Sequence, residues 1–483
     1  MKMNLELQTC ARYKSFTYIL GLVLNASLGS FLIGYKIAEI NLLIINLLHV
    51  YSWSESETNL YTGLLNALVD VGAIFGALLS GNYFKNIGRK WGLIIADIFG
   101  IGGSIICVFE GVGAFPQIIG RFLSGVAAGI NCQLVPLYIN ELTPHEISGF
   151  MGSFFQSFMN GGILISYLMC LNIPNEQEDE FYDTTDDWWR VVFVFPTFSC
   201  LIRVFFLLTY YDFDTPYSLV KRNKTEEVSI IIKRIYNEEF IDEEVEKIQG
   251  RIISNEELSY KDLFTENKSR IFSGMLLMAA QQLSGVDAVI SESSILYNYS
   301  CDNTEVKILT VMNSIILIIA STISGLTSDK FGRRSLILYG NGACIICLYL
   351  MGIFQEFPSD TMKEISIFMT YMFLLSFGSS LGPVIYLYEP EILPDEGISL
   401  AVIVNWFCCG AVVFLTPYVI VNFGIPPIYY LFGTILFICH IYFFFFLKET
   451  KGKTHAEIDS MFSGSQNENS NDEKKTFCLF GLK

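Results

Sequence analysis

The chain has 483 residues, 52% of them hydrophobic and 16% charged, with a mean hydropathy of +0.44 and a net charge of −17. Soluble proteins carry roughly a quarter charged residues, so a soluble multidomain enzyme and a disordered chain are both excluded. The acidic balance leaves nothing basic to spare for phosphates and excludes a nucleic-acid binder. What remains is an integral membrane protein.

Apolar stretches of about 20 residues, the length that crosses a bilayer, fall near 16–38, 59–82, 91–110, 116–138, 149–171, 188–209, 271–297, 305–327, 335–355, 363–388, 399–421 and 424–447. The fold class is therefore an all-α membrane protein with twelve transmembrane helices in two six-helix halves. The expected organisation is an N-terminal segment (1–15), a first bundle (16–211), a helical linker (212–270), a second bundle (271–447) and a tail (448–483). Met1 to Lys14 is polar and shows no cleavable signal, so the first span serves as a signal-anchor.

Lys85, Arg89 and Lys90 follow span 2, Lys330, Arg333 and Arg334 follow span 8, and Lys448, Lys451 and Lys453 follow span 12. The loop from Asn172 to Asp187, on the other side, holds seven acidic residues and no base. By the positive-inside rule the basic loops, and both termini with them, are cytoplasmic. The linker reads as short amphipathic helices with Val228, Ile231, Ile232, Ile235, Phe240 and Val245 on one apolar face. Phe462 to Lys474 reads as disordered. Cys107, Cys132, Cys200, Cys344, Cys347, Cys408, Cys409 and Cys439 lie in apolar runs, and only Cys301 sits clearly in a loop, so no disulfide framework is expected.

A repeat relates the halves. Gly88-Arg89-Lys90 and Gly332-Arg333-Arg334 end spans 2 and 8, 244 positions apart. The segments around Glu141 and Glu391 end spans 4 and 10, 250 apart, and Asp214-Thr215-Pro216 and Glu449-Thr450-Lys451 follow spans 6 and 12, 235 apart. Two parallel six-helix repeats are the layout of a rocking-bundle transporter with its site near the midplane. Arg89, Arg333 and Arg334 can pair with Glu141, Glu391, Asp214 and Glu449 when the inside is closed, and rocking would break those pairs. One such motif alone would read as ordinary surface charge; its repetition reads as a gate.

Polar groups at the midplane are costly to bury and point to function. Gln156 lies in span 5, Gln281, Gln282, Ser284 and Asp287 in span 7, and Asn405 and Trp406 in span 11. Amides beside the aromatic planes of Tyr386, Phe377 and Trp406 suit a neutral polyhydroxylated ligand. Asn160 and Asn313, taken singly, read as interhelical hydrogen-bonding residues. Gly285, Gly382-Pro383 and Pro390 mark helices that can break and act as local gates. There is no phosphate-binding loop, metal-ligand spacing or catalytic triad; neither an enzyme nor a cofactor is expected.

These residues resemble the sugar porters of the major facilitator superfamily, close to facilitative hexose transporters, over about residues 16–456. The resemblance rests on N-I-G-R-K at 86–90, G-R-F at 120–122, P-L-Y-I-N-E-L-T-P at 136–144 and Q-Q-L-S-G-V-D-A-V at 281–289. It continues through D-K-F-G-R-R at 329–334, G-P-V-I-Y-L-Y-E-P-E at 382–391, N-W at 405–406 and E-T-K-G-K-T at 449–454. The Phe-, Ile- and Asn-rich composition resembles that of a unicellular parasite's hexose transporter. The resemblance implies that Gln156, Gln281 and Gln282 hydrogen-bond the sugar and that Phe377 lines the cavity. It also implies that Asp287 stands where Asn is usual, and Tyr386 where Trp is usual.

The chain departs from the pattern in places. Gly34-Tyr35 is followed by Lys36 where proton-coupled members usually carry Asp; Lys36 pairs with Glu39 or Asp70, or else reaches an aqueous edge. Ser148, Tyr217 and Ile398 replace gate arginines, Gly378 replaces an acidic residue and Cys409 an amide. The expectation is a uniporter for hexoses, D-glucose first, in the plasma membrane, with lipid and sugar as partners and the oligomeric state open. The rivals are a proton–sugar symporter using Asp287 or Asp70, and a sensor that binds sugar without carrying it.

Overall fold

The computed structural model describes residues 12–463, apart from 112–113, 172–186, 223, 246–247, 249–267, 292–302, 358 and 454. The acidic loop expectation, Cys301 and the tail beyond Ser463 lie outside the described residues. No β-strand occurs among the described residues.

The first bundle comprises α1 (Phe16–Tyr51), α2 (Glu55–Ile87), α3 (Arg89–Ile106), α4 (Phe115–Leu142), α5 (Ser148–Cys170), α6 (Trp188–Val194) and α7 (Thr197–Thr209). Helices α8 (Pro216–Lys221) and α9 (Thr225–Ile235) follow in the linker. The second bundle comprises α10 (Lys268–Gln282), α11 (Val286–Ser291), α12 (Asn303–Phe331), α13 (Arg333–Gln355), α14 (Asp360–Gly378), α15 (Leu381–Ile392), α16 (Asp395–Phe423) and α17 (Pro426–Phe446). A last helix, α18 (His455–Ser463), lies in the tail.

Among the described residues, nine helical stretches are long and apolar enough to cross a membrane. The other three predicted spans are helical too. They are α3, which carries Arg89, Lys90 and Asp97; α5, which carries Gln156 and Asn160; and the α10–α11 pair, which is interrupted. Large apolar side chains stand exposed along the outer helices, including Leu431, Phe437, Ile438, Phe444 and Phe445 on α17. A water-soluble fold does not leave so continuous an apolar band uncovered.

Three predicted spans break where the sequence places a helix-disfavouring residue. Pro196 separates α6 from α7, and Ser379-Ser380 separates α14 from α15, just before Gly382-Pro383. Gly285 separates α10 from α11 at φ 80°, where a methyl group would lie 2.2 Å from the Phe432 ring. Gly88 and Gly332 are the sharpest turns of the repeat, at φ 107° and 86°. A methyl group on Gly332 would lie 2.5 Å from Glu449 Oε2. Gly332→Ala is therefore expected to cost about 1–3 kcal/mol, the usual price of this backbone region, read as a lower unfolding temperature in detergent.

In the described part of the linker, Val228, Ile231, Ile232 and Ile235 are buried and Phe240 and Val245 partly so. The tail departs from expectation at its start. Met461, Phe462 and Ser463 end α18, which docks through buried Ile458 and an Arg270–Asp459 ion pair of 2.6 Å.

Candidate functional site

The eight predicted binding residues, Gln156, Gln281, Gln282, Asp287, Phe377, Tyr386, Asn405 and Trp406, line one cavity between the bundles. The break after α10 brings both of its last glutamines and Asp287 of α11 to the same wall. Gln281 is the hub: its Oε1 accepts from Asn405 Nδ2 (2.8 Å) and Tyr386 Oη (3.4 Å), and its Nε2 donates to Gly382 O (3.1 Å). Gln282 Nε2 donates to Asn405 Oδ1 at 3.2 Å. On the opposite wall Gln156 Nε2 donates to Asn160 Oδ1 (3.2 Å), while Gln156 Oε1 is buried with no hydrogen-bond partner. An unfilled buried acceptor facing a cavity is a place for a ligand donor.

The aromatic groups close in from the second bundle. The Tyr386 ring meets Phe155 of α5 at a 4.4 Å centroid distance, and its hydroxyl faces the Cys132 thiol of α4 at 3.8 Å. The rest of the lining is largely aliphatic, including Ile33, Ile37, Met159, Ile163 and Leu317. Nothing in the sequence separates these from the many lipid-facing aliphatic residues. Asn160 serves both as lining and, as expected, as an interhelical bond, donating to Leu317 O of α12 at 3.0 Å.

Contacts between the bundles lie on both sides of the cavity. At the end bearing the repeated motifs, Arg89 of α3 reaches across to Asp395 of α16 (2.8 Å), and Lys221 approaches the same carboxylate at 3.6 Å. Asp329 of α12 accepts the Phe150 N–H near the start of α5 at 3.2 Å. At the other end, Asn41 of α1 and Tyr167 of α5 both donate to Ile290 O of α11, at 3.3 and 2.7 Å. The interrupted helix thus supplies the closing carbonyl.

The motif pairs divide differently from the expectation. Arg89–Glu141 (3.0 Å) and Arg333–Glu391 (2.9 Å) form as predicted, but each lies within one bundle and rocking need not break it. Asp214 and Glu449 instead cap helices: Asp214 accepts from the backbone of Arg89 and Lys90, and Glu449 from that of Arg333 and Arg334. Carboxylates are favoured there by the helix dipole and the unpaired first-turn N–H groups. The Arg334 side chain donates to Leu447 O and Phe444 O and makes no carboxylate pair among the described residues. At this end the carboxylate ties across the bundles come from Asp395 and Asp329, which the sequence reading did not single out, and Ser399 Oγ of α16 adds a bond to Ala77 O of α2 at 2.8 Å. Asp395→Asn is expected to loosen this end, speeding cysteine labelling of Cys132 from that side several-fold while leaving the Arg89–Glu141 pair intact.

Two charge clusters flank the cavity. Lys36 pairs with Glu39 (3.0 Å) and Arg121 with the same carboxylate (3.1 Å), all three buried in the interior. Of the three readings for Lys36, the Glu39 pair is the one formed. Asp70 of α2 and Asp287 of α11 both approach the Cys409 thiol, which lies 3.4 Å from Asp287 Oδ2. No metal-holding group of side chains occurs among the described residues.

The sequence profile described as "Sugar (and other) transporter" matches residues 22–462. This chain belongs to that family. The transporter is 30% identical over 454 residues to Hexose transporter 1 of Plasmodium knowlesi, covering 89% of this chain and 90% of that one. It is 30% identical over 467 residues to Hexose transporter 1 of Plasmodium falciparum, covering 91% and 90%. In fold it matches the proton:xylose symporter XylE bound to 6-bromo-6-deoxy-D-glucose, with a TM-score of 0.84 at 23% identity over 93% of this chain and all of that one. The transporter is thus a multi-pass sugar carrier of the major facilitator fold, and not an enzyme.

Proposed function

We propose that the protein carries hexoses, D-glucose first, down their gradient across the plasma membrane by alternating access, with both termini cytoplasmic. The observation that carries this reading is the amide cluster of Gln156, Gln281, Gln282 and Asn405 around one cavity. Each amide both donates and accepts, which matches adjacent sugar hydroxyls, while Phe377, Tyr386 and Trp406 cover the apolar ring face. The names of the Plasmodium relatives support the substrate class. Arg89, Lys90, Arg333 and Arg334 at the motif end support its cytoplasmic placement. Arg89, Glu141, Asp214, Arg333, Arg334, Glu391 and Glu449 act in gating mainly by stiffening the two ends that Asp395 and Asp329 join.

Downhill transport is favoured because Glu39, the carboxylate of the first helix, is paired with Lys36 of that helix and with Arg121 of α4, which leaves no lone carboxylate there to pick up a proton. Uptake of D-glucose that is competed by other D-hexoses and unaffected by L-glucose is the expected result. Uptake of a pentose or disaccharide in preference to every hexose would overturn the substrate class. One observation favours proton symport as a second reading, namely the Asp70 and Asp287 carboxylates brought from opposite bundles to one thiol. Glucose accumulation that appears only with an inward proton gradient and is lost in Asp287→Asn would select it.

A further inference from the structure

Glu389 takes no part in the mechanism above. It lies on α15, three residues beyond cavity-lining Tyr386 and toward the motif end, and is 1% exposed. Neither carboxyl oxygen has a hydrogen-bond partner among the described residues. The group packs against α10, where a methyl on Gly274 would lie 3.2 Å from Oε1 and 3.3 Å from Oε2.

The charged groups on the surrounding elements are engaged elsewhere. Arg270 of α10 holds Asp459 at 2.6 Å, Arg333 holds Glu391 at 2.9 Å, and Arg89 holds Glu141 and Asp395. Asp329 of α12, Asp395 and Glu396 of α16 and Glu391 of α15 itself are carboxylates and offer no positive charge. Tyr388, on the same helix, and Cys132 of α4, across the bundle interface, have side chains that carry no positive charge in any protonation state.

An ionised carboxylate taken out of water with no partner costs several kcal/mol, and nothing around Glu389 offsets that cost. The neutral acid avoids the charge penalty. We propose that Glu389 is a proton-binding site of the transport cycle. The closed carrier holds it as the carboxylic acid. Opening the motif end parts α4 from α15, water reaches the carboxyl, and its proton passes to that water as hydronium on the cytoplasmic side. Closing requires the reverse transfer. The proton enters and leaves by one face, so none is carried across and transport remains downhill. This assignment rests on the alternating-access reading and its orientation.

The direct test is infrared spectroscopy of the purified carrier at neutral pH. A protonated-carboxyl C=O band is expected in the wild type and missing in Glu389→Gln; identical spectra would overturn the assignment. In proteoliposomes, wild-type glucose exchange is expected to slow as cytoplasmic-side pH rises from about 6 to about 8, by at most about tenfold per pH unit for a one-proton step. Glu389→Gln should flatten that dependence. A dependence that survives in Glu389→Gln, or a wild-type rate indifferent to cytoplasmic pH, would contradict the site. Should the Gln variant fail to fold, Glu389→Leu is expected to be at least as thermostable as wild type, and a clear loss of stability would count against a neutral acid. Absence of glucose exchange at every pH would refute the hexose reading, with the infrared comparison still deciding the proton site.

Discussion

Gln281→Ala is expected to lower transport more than any other single change in the cavity wall. Gln281 is 3% exposed, and its side chain satisfies Asn405, Tyr386 and the Gly382 carbonyl at once. Each buried group left unpaired costs about 1–3 kcal/mol, so the loss predicts at least a tenfold rise in the KM for sugar. The wall joining α10, α15 and α16 should also lose rigidity, because all three helices meet at this amide. Initial-rate uptake in proteoliposomes measures the effect. Gln281→Ala with wild-type KM and rate would mean that the amide cluster serves only helix packing.

The second large effect is expected in stability. Arg333 is 2% exposed and donates to Glu391 Oε1 through both Nε (3.1 Å) and Nη2 (2.9 Å), with Asp329 at 3.3 Å from Nη1. Arg333→Ala leaves Glu391 buried with the Thr450 hydroxyl as its remaining described partner. Breaking a buried pair in this way costs about 3–5 kcal/mol. A lower unfolding temperature in detergent should follow, together with a weaker hold of Asp329 on α5. Removing both partners, in Arg333→Ala with Glu391→Ala, should cost less than the sum of the single changes. Strict additivity would show that the two side chains do not act as a pair.

The two halves of the molecule show why these effects differ in kind. Thr215 and Thr450 each donate to the motif glutamate of their own bundle, Glu141 and Glu391. Asp214 and Glu449 each cap the helix that starts with the motif arginine. The repeated unit is therefore a clamp within each bundle that ties a helix end to the motif glutamate and arginine. The contacts between the bundles at this end are unlike in the two halves: Arg89 of α3 with Asp395 of α16, and Asp329 of α12 with the α5 backbone.

The fold was legible because length, hydropathy and a repeat separated by about half the chain all pointed to one arrangement. The polar cavity residues were legible for a related reason. An amide inside an apolar span is conspicuous, and Gln156, Gln281, Gln282 and Asn405 converge on one cavity. Partner choice was not legible. Spacing shows that Arg89 and Glu141 end neighbouring spans, but not that Asp214 would turn its carboxylate to backbone N–H groups or that Asp395 would take the crossing pair. Glu389 was invisible for the opposite reason, since beside Glu391 it reads as one more acid at a helix end, and only burial without a partner sets it apart. The aliphatic lining was hidden as well, because in a lipid-facing helix Ile33 and Ile37 look the same as residues that touch acyl chains.

The central claim, a downhill hexose carrier working through the amide-lined cavity, is tested most directly by D-glucose counterflow in proteoliposomes with equal pH on both sides. Gln282→Ala is the comparison, since Gln282 lines the cavity and is tied to Asn405. The account predicts sugar-specific counterflow by the wild type without any gradient, and a clear reduction of it in Gln282→Ala. Absence of counterflow with every hexose from correctly folded protein, or undiminished counterflow in the variant, would contradict it.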